Sequence, residues 1–183
     1  MTLLKSYYAL CKPNVVYMML ICAFVGMLLA EEAVSSFSYL CISLFGIALC
    51  ASSAAAINQV IDRKTDASMT RTDQRPLPKG ELSVMHASIF AMTIGVIGAL
   101  ILFFYVNTLT MLLTIGSLIG YAFIYTVYLK RATPQNIVIG GASGAAPVLI
   151  GWTATGSELE TGPWVLFLLV FLWTPAHFWA LSI

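Results

Sequence analysis

The stretch Ala54-Ala-Ala-Ile-Asn58-Gln-Val-Ile-Asp62-Arg-Lys-Thr-Asp66 joins the end of a long apolar run to a short ladder of polar side chains. Asn58, Asp62 and Asp66 recur every four residues, so a helix would place them along one face over roughly 12 Å. Their oxygen atoms would then converge on one volume. Oxygen ligands of this kind suit Mg²⁺, which usually keeps several waters and takes further ligands from substrate phosphates. The stretch therefore predicts a membrane helix that ends in a magnesium site.

Basic side chains surround this ladder and could hold the phosphates of a substrate. The alternative is a solvated helix end with incidental charges. Acids are unfavourable beside anionic headgroups and do not anchor a membrane helix, so their repetition every four residues favours a metal-diphosphate site. The basic residues are Arg63, Lys64, Arg71, Arg75 and Lys79.

The composition indicates an integral membrane protein. Of 183 residues, 60% are hydrophobic and only 9% are charged, and a soluble core of this size could not bury so much apolar surface. The apolar runs are each about 20 residues long, and backbone groups in lipid must be paired within their own segment. We therefore predict an all-α, multi-pass bundle with one membrane domain over residues 1–183. The six predicted spans are 14–30, 37–60, 84–105, 108–129, 136–154 and 164–183.

The basic residues also predict the orientation of the chain. All nine Lys and Arg residues fall before the first span, between spans two and three, or after span four. The loops on the other side carry acids such as Glu31 and Glu158 instead. The positive-inside rule then places the N-terminus and the Asp-rich loop in the cytoplasm. We expect the cell inner membrane as the location, the lipid bilayer as a partner and no nucleic acid.

Four further residues are candidates for a function, each with a structural alternative. Lys12, Lys130 and Arg131 lie at span ends, where basic residues ordinarily act as topological anchors, but on the Asp-rich side they could reach a leaving group's charge. Whereas the other histidine, His86, lies near the start of span three and is predicted to be interfacial, His177 lies well inside a predicted span. An ionisable residue there indicates a functional site, and a hydrogen bond between helices explains it equally well.

Small residues recur every four positions within three of the spans. Such patterns usually allow membrane helices to approach closely, so we predict tight helix packing at these positions. They are Gly46, Cys50, Ala54, Gly116, Gly120, Gly140 and Gly144.

The run from Ala54 to Gly80 resembles the first Asp-rich motif of the intramembrane prenyltransferase superfamily, N-x-x-x-D-x-x-x-D. Within it, the chain is similar to the members that farnesylate haem. Three other stretches support this narrower resemblance: Lys12-Pro-Asn, Lys130-Arg-Ala-Thr-Pro-Gln-Asn136, and Trp173-Thr-Pro-Ala-His177. The resemblance covers essentially the whole chain.

The resemblance implies transfer of a farnesyl group from farnesyl diphosphate to a vinyl group of haem b, with water addition, giving haem O. Asn58, Asp62 and Asp66 would hold Mg²⁺ on the diphosphate. His177 would be a candidate haem contact. The cations that would neutralise the diphosphate are Lys12, Arg71, Arg75, Lys130 and Arg131.

Members of this superfamily have about nine spans and a second Asp-rich loop, whereas this chain ends in apolar residues. We expect it to be the N-terminal two-thirds of such a protein, and to be weakly active or inactive alone. Three other functions stay open. One is prenyl transfer to another aromatic acceptor such as a quinone precursor. Another is cation-coupled transport, although transporters usually place coupling acids near mid-membrane. The third is a haem-binding membrane scaffold that relies on His177 alone.

Overall fold

The computed structural model describes residues 3–32, 34–132 and 135–180, and this part of the chain is helical and contains no strand. The all-α prediction is confirmed. The helices are α1 (Leu3–Leu10), α2 (Pro13–Leu29), α3 (Phe37–Asp66), α4 (Val84–Tyr105), α5 (Thr108–Ile119), a π-helical segment (Gly120–Leu129), α6 (Lys130–Ala132), α7 (Asn136–Ala154) and α8 (Thr161–Ala180).

Local sequence signals explain where three of these helices begin. Ser36, Ser83 and Asn107 each have an extended backbone and accept a hydrogen bond from the amide three residues later, at 3.1, 3.1 and 2.8 Å. Such caps satisfy an amide that otherwise lacks an acceptor in the first turn. The starts of α3, α4 and α5 therefore follow from the residue that precedes each of them.

Three helices are long and apolar enough to cross a membrane: α3, α4, and α5 together with the π segment over Thr108–Leu129. The pair α1 and α2 qualifies as one further span bent by 47°, and the apolar parts of α7 and α8, Val138–Ala154 and Thr161–His177, are shorter. Many large apolar side chains also point outward, as Met18, Phe104 and Tyr128 do. The protein is an integral membrane protein whose apolar outer surface suits lipid.

The helices pack closely in two pairs. A side chain added at Gly151 of α7 would collide with the backbone carbonyl of Ala23 of α2. A side chain added at Gly26 of α2 would collide with the backbone carbonyl of Val148 of α7. Glycine thus allows α2 and α7 to cross at backbone contact. The helices α3 and α4 meet at Gly46, where an added methyl group would lie 2.8 Å from Leu102.

The prediction of tight packing at small residues is correct for Gly46 and Gly140 and wrong at three other glycines. Gly140 lies against the ring of Tyr125. Among the described residues, none lies within 4 Å of a methyl group added at Gly116, Gly120 or Gly144. These three glycines border open space, because the helices separate there and leave cavities between them.

Three features of the predicted spans are corrected. The second span, predicted over 37–60, belongs to a helix that continues to Asp66, so the whole acidic ladder lies on α3, as its spacing predicts, and the connection to α4 covers only 67–83. The first span is preceded by a separate helix, α1. The predicted 108–129 span is not uniformly α-helical, since its second half has π-helical hydrogen bonding.

Candidate active site

The three ladder residues lie on one face of the last turns of α3 and point into the protein. Asn58, Asp62 and Asp66 are each only 4% exposed. Buried carboxylates need partners, because removing an ionised group from water is costly. The fold supplies a partner to each of the three from a different element, and we call this region the charged end of the bundle.

Two of these partners form ion pairs with the carboxylates. Lys130 Nζ lies 2.7 Å from Asp62 Oδ2, and Arg75 lies 2.6 Å from Asp66 Oδ2. Both cations remain partly exposed, at 37% and 29% of their side chains. Each basic group thus faces solvent on one side and a buried carboxylate on the other, where it could also meet an incoming anion.

The third partner, Lys12, reaches the site because the chain breaks between α1 and α2. Lys12 has a left-handed backbone, with φ of 50°, and is followed by Pro13 at the start of α2. Its ammonium group donates a hydrogen bond to Asn58 Oδ1. Burial lowers the pKa of Lys12 to about 8; Arg75 and Lys130 also lower it, while Asp66 and Asp62 raise it.

The connection after α3 folds back so that Arg75 can meet Asp66. Thr72 is buried and its hydroxyl donates to the backbone carbonyl of Asp66 at 3.0 Å. Leu77 and Leu82 pack into a core with Leu10 of α1. This connection is therefore a packed element, although its polar sequence resembles that of a solvent-exposed loop.

The opposite wall of the charged end is the π segment. The Thr126 hydroxyl is fully buried and accepts a hydrogen bond from Asn58 Nδ2 at 3.0 Å. It donates to the carbonyl of Tyr121, five residues back, at 2.8 Å. Lys130 follows directly after this segment, so one irregular element brings two side chains to α3. Such π-helical segments are rare and occur frequently at functional sites.

A cavity of about 570 Å³ extends from the charged end into the bundle, between α2, α3, the α5–π helix, α7 and α8. Lys12 and Arg71 line it, and most of the remaining wall is apolar, including Ile47, Ala51 and Tyr121. The volume is typical of small-molecule sites. A ligand with an anionic head and an apolar tail would match the charge and the walls of this space.

The other three residues predicted for the site lie in different places. Arg71 is exposed and lines the cavity. The side chain of Arg131 lies outside the described residues. His177 is exposed and stacks on Trp173 with ring centroids 4.4 Å apart. It does not line the cavity, although Thr174, one turn earlier, does. The haem contact of His177 stays a prediction.

The donor atoms of the charged end fit a magnesium ion that shares its coordination with a ligand. Within the described residues, no three His, Cys, Asp or Glu side chains cluster as a complete metal site. Asn58, Asp62 and Asp66 offer only oxygen donors, and the second carboxylate oxygen of either Asp takes no hydrogen bond from a described residue. A few protein oxygens completed by phosphate and water are what Mg²⁺ usually accepts.

Three residues of the charged end were not found from the sequence: Thr126, Thr72 and Gln59. Gln59 is 2% exposed, and its amide donates to the carbonyls of Ala9 and Leu10 at 3.1 and 2.9 Å, which ties the end of α1 to α3. Its position next to Asn58, as a polar residue at the end of an apolar run, was an available signal. Thr126 gave no such signal, because a threonine in an apolar helix usually bonds its own backbone.

The sequence matches the model of the UbiA prenyltransferase family over residues 19–183. It is 55% identical to protoheme IX farnesyltransferase 2 of Pseudoalteromonas atlantica, over 98% of this chain and 59% of that protein. It is 53% identical to protoheme IX farnesyltransferase of Vibrio vulnificus, over 98% of this chain and 60% of that protein. The chain therefore spans about 60% of the length of the curated relatives that it matches.

Solved structures share the same helical arrangement. Digeranylgeranylglyceryl phosphate synthase superposes with a TM-score of 0.79 at 21% identity, covering 94% of this chain and 60% of that one. A UbiA homologue from Archaeoglobus fulgidus, described as bound to DMAPP and Mg²⁺, gives 0.76 at 19% identity, covering 92% and 60%. With the family match over residues 19–183, this likeness in fold leads to one conclusion: the chain belongs to the UbiA prenyltransferase family.

Proposed function

We propose that this chain carries the prenyl-diphosphate site of an enzyme that transfers a farnesyl group from farnesyl diphosphate to a vinyl group of haem b. The observation that carries the proposal is the placement of Asn58, Asp62 and Asp66, with their three basic partners, beside an apolar cavity whose wall includes Lys12 and Arg71. The names of the relatives at 53–55% identity support haem as the acceptor.

The oxygen-bearing and the basic residues of the site have different roles. Asn58, Asp62 and Asp66 would hold Mg²⁺ against the diphosphate, and bound Mg²⁺ would neutralise charge on the leaving oxygens. Lys12, Arg71, Arg75, Lys130 and Arg131 would bind the remaining diphosphate charge. Lys12, Arg75 and Lys130 already contact the ladder residues in the free protein, so they would favour the charge that develops as the allylic C–O bond breaks.

The transfer then separates a farnesyl cation from diphosphate. The terminal vinyl carbon of haem b attacks the cation and forms the new C–C bond. The positive charge that results on the porphyrin side chain is captured by water, which keeps its hydroxyl there and releases a proton, giving the hydroxyethylfarnesyl group of haem O. Apolar cavity walls such as Ile47 and Ala51 would keep water from the cation until the carbon attacks.

The proposal includes the setting of the site. We place the chain in the cell inner membrane, as one membrane domain over residues 1–183 that forms the N-terminal two-thirds of the enzyme, with its N-terminus and the charged end in the cytoplasm. The positions of all nine Lys and Arg residues support this orientation.

The test is mass spectrometry of haem extracted after membranes containing the protein in its natural length are incubated with haem b, farnesyl diphosphate and Mg²⁺. We expect haem O from the wild type and a loss on the order of a hundredfold or more in Asp62→Ala, because a preplaced charge is removed. Glu31→Gln, an exposed acid far from the site in sequence, is the matched control. An unchanged yield of haem O in Asp62→Ala would contradict the assignment of Asp62 to the metal. A prenylated product from another ring compound, with none from haem, would contradict haem b as the acceptor.

A further inference from the structure

Thr126 makes a contact that the catalytic scheme above does not use. Its hydroxyl lies on the π segment and meets the amide of Asn58 from across the charged end, 68 residues away in the sequence. Both side chains are buried. A buried hydrogen bond between polar groups of two different helices restricts how each side chain can be oriented.

The hydrogen bonds fix which way the Asn58 amide points. A threonine hydroxyl has one proton, and Thr126 donates it to the Tyr121 carbonyl at 2.8 Å. Towards Asn58 it can therefore only accept, so the NH₂ group of Asn58 must face Thr126. The carboxylate of Asp62, another acceptor, lies 3.1 Å from the same NH₂ group. The amide oxygen is left facing Lys12.

Only one of these three orienting partners would be unaffected by a bound metal. Asp62 would be a ligand itself, and Lys12 contacts the very oxygen that the metal would take. Thr126 lies on the NH₂ side of Asn58 and competes with neither. Its hydroxyl is set in place by the π segment, where the acceptor for its proton is five residues back instead of the usual three or four.

We infer that Thr126 is a positioning residue, which holds the Asn58 side chain with its oxygen towards the metal. This inference rests on the proposed function only in that Asn58 is a metal ligand; it does not depend on haem as the acceptor. Partners behind a ligand typically change metal affinity by about 10- to 100-fold when they are removed. Without Thr126, the amide could turn over and present its NH₂ group instead of its oxygen.

The test uses Mn²⁺ in place of Mg²⁺ and measures its binding to the protein, in its natural length in lipid nanodiscs with farnesyl diphosphate present, by electron paramagnetic resonance. We expect Thr126→Val to weaken Mn²⁺ binding about tenfold or more. Thr126→Ser, which keeps the hydroxyl, should bind as the wild type does. Thermal unfolding of each variant checks that it is folded.

A second background separates orientation from general damage. In Asn58→Asp, either oxygen of the new carboxylate can bind the metal, so adding Thr126→Val should change Mn²⁺ affinity less than about twofold. An equal loss in both backgrounds, or no loss in Thr126→Val alone, would overturn the inference. If Asn58→Ala leaves Mn²⁺ affinity unchanged, the proposed metal site itself is wrong, which is a different outcome.

Discussion

Lys12 is held in an arrangement that few lysines adopt. It has a left-handed backbone, it lies at a break between two helices, and its ammonium group donates to an amide oxygen. The left-handed region is unfavourable for residues other than glycine. The structure maintains it because Gln59 binds the last carbonyls of α1, which fixes the break next to Asn58. The side chain thereby forms part of the cavity wall.

Replacing Lys12 with methionine tests its role at the site. Lys12→Met keeps the length of the side chain but removes the charge, so we expect the KM for farnesyl diphosphate to rise about tenfold or more, the effect of one charge-assisted hydrogen bond. Steady-state kinetics of haem farnesylation measure this. Lys64→Met is the control, since Lys64 is exposed on α3. Equal effects of the two substitutions would indicate that only bulk surface charge matters.

How far single residues can be predicted depends on how far apart they lie in the chain. Asn58, Asp62 and Asp66 were found because one helix carries them all within nine residues. From the sequence, Lys12 and Lys130 could be either topological anchors or site residues. The contacts of Lys12 with Asn58 and of Lys130 with Asp62 favour a role at the site. Thr126 could not be found, since its importance depends on a contact across the bundle.

At the level of the elements, glycine decides which helices touch. On α7, Gly151 lies against the backbone of α2, whereas Gly144 borders the cavity, where no atom of the described part of the chain lies within 4 Å of an added methyl group. Two identical residues two turns apart on one helix therefore have different roles. Sequence spacing cannot distinguish them, because it reports the periodicity of the small residues but not which side another helix occupies.

The two glycines make a matched pair for a stability measurement. Gly151→Ala should destabilise the protein by about 1–3 kcal/mol, because the methyl group forces α2 and α7 apart. Gly144→Ala should be close to neutral or slightly stabilising, as alanine favours the helix. Thermal unfolding in detergent checks both. A Tm for Gly151→Ala equal to that of Gly144→Ala would contradict the close crossing.

The elements also show where prediction from sequence fails. The predicted membrane span ended at residue 60, yet the helix persists to Asp66, because its two acids are buried against Arg75 of the 67–83 connection and Lys130 of α6. The apolar pattern of 108–129 does not distinguish the π segment from an ordinary α-helix. Local composition gives the position of a membrane helix but not its internal hydrogen bonding.

For the molecule as a whole, charge is confined to particular ends of the helices. The charged end carries the ladder and its basic partners, while the other ends of α2, α5 and α7 are joined by neutral contacts, such as the hydrogen bond from Asn107 to the carbonyl of Thr153 at 2.7 Å. Apolar side chains cover the outside between these two ends. This distribution is what allowed membrane insertion and orientation to be predicted from the sequence.

The orientation can be checked with cysteine labelling. In a variant whose four cysteines are replaced by alanine, Glu31→Cys and Lys64→Cys each introduce one exposed thiol. In cells with a permeable outer membrane, a maleimide that cannot cross the inner membrane should label Glu31→Cys without further treatment. It should label Lys64→Cys only after lysis. The reverse pattern would invert the proposed topology.

The mutual pairing of acids and bases in the free protein has a thermodynamic consequence. A divalent cation arriving alone would meet Lys12, Arg75 and Lys130, and a polyanion arriving alone would meet Asp62 and Asp66. Each is repelled by part of the site until the other accompanies it. We therefore expect heterotropic cooperativity: pyrophosphate should tighten Mn²⁺ binding, and Mn²⁺ should tighten pyrophosphate binding by the same factor, as linkage requires.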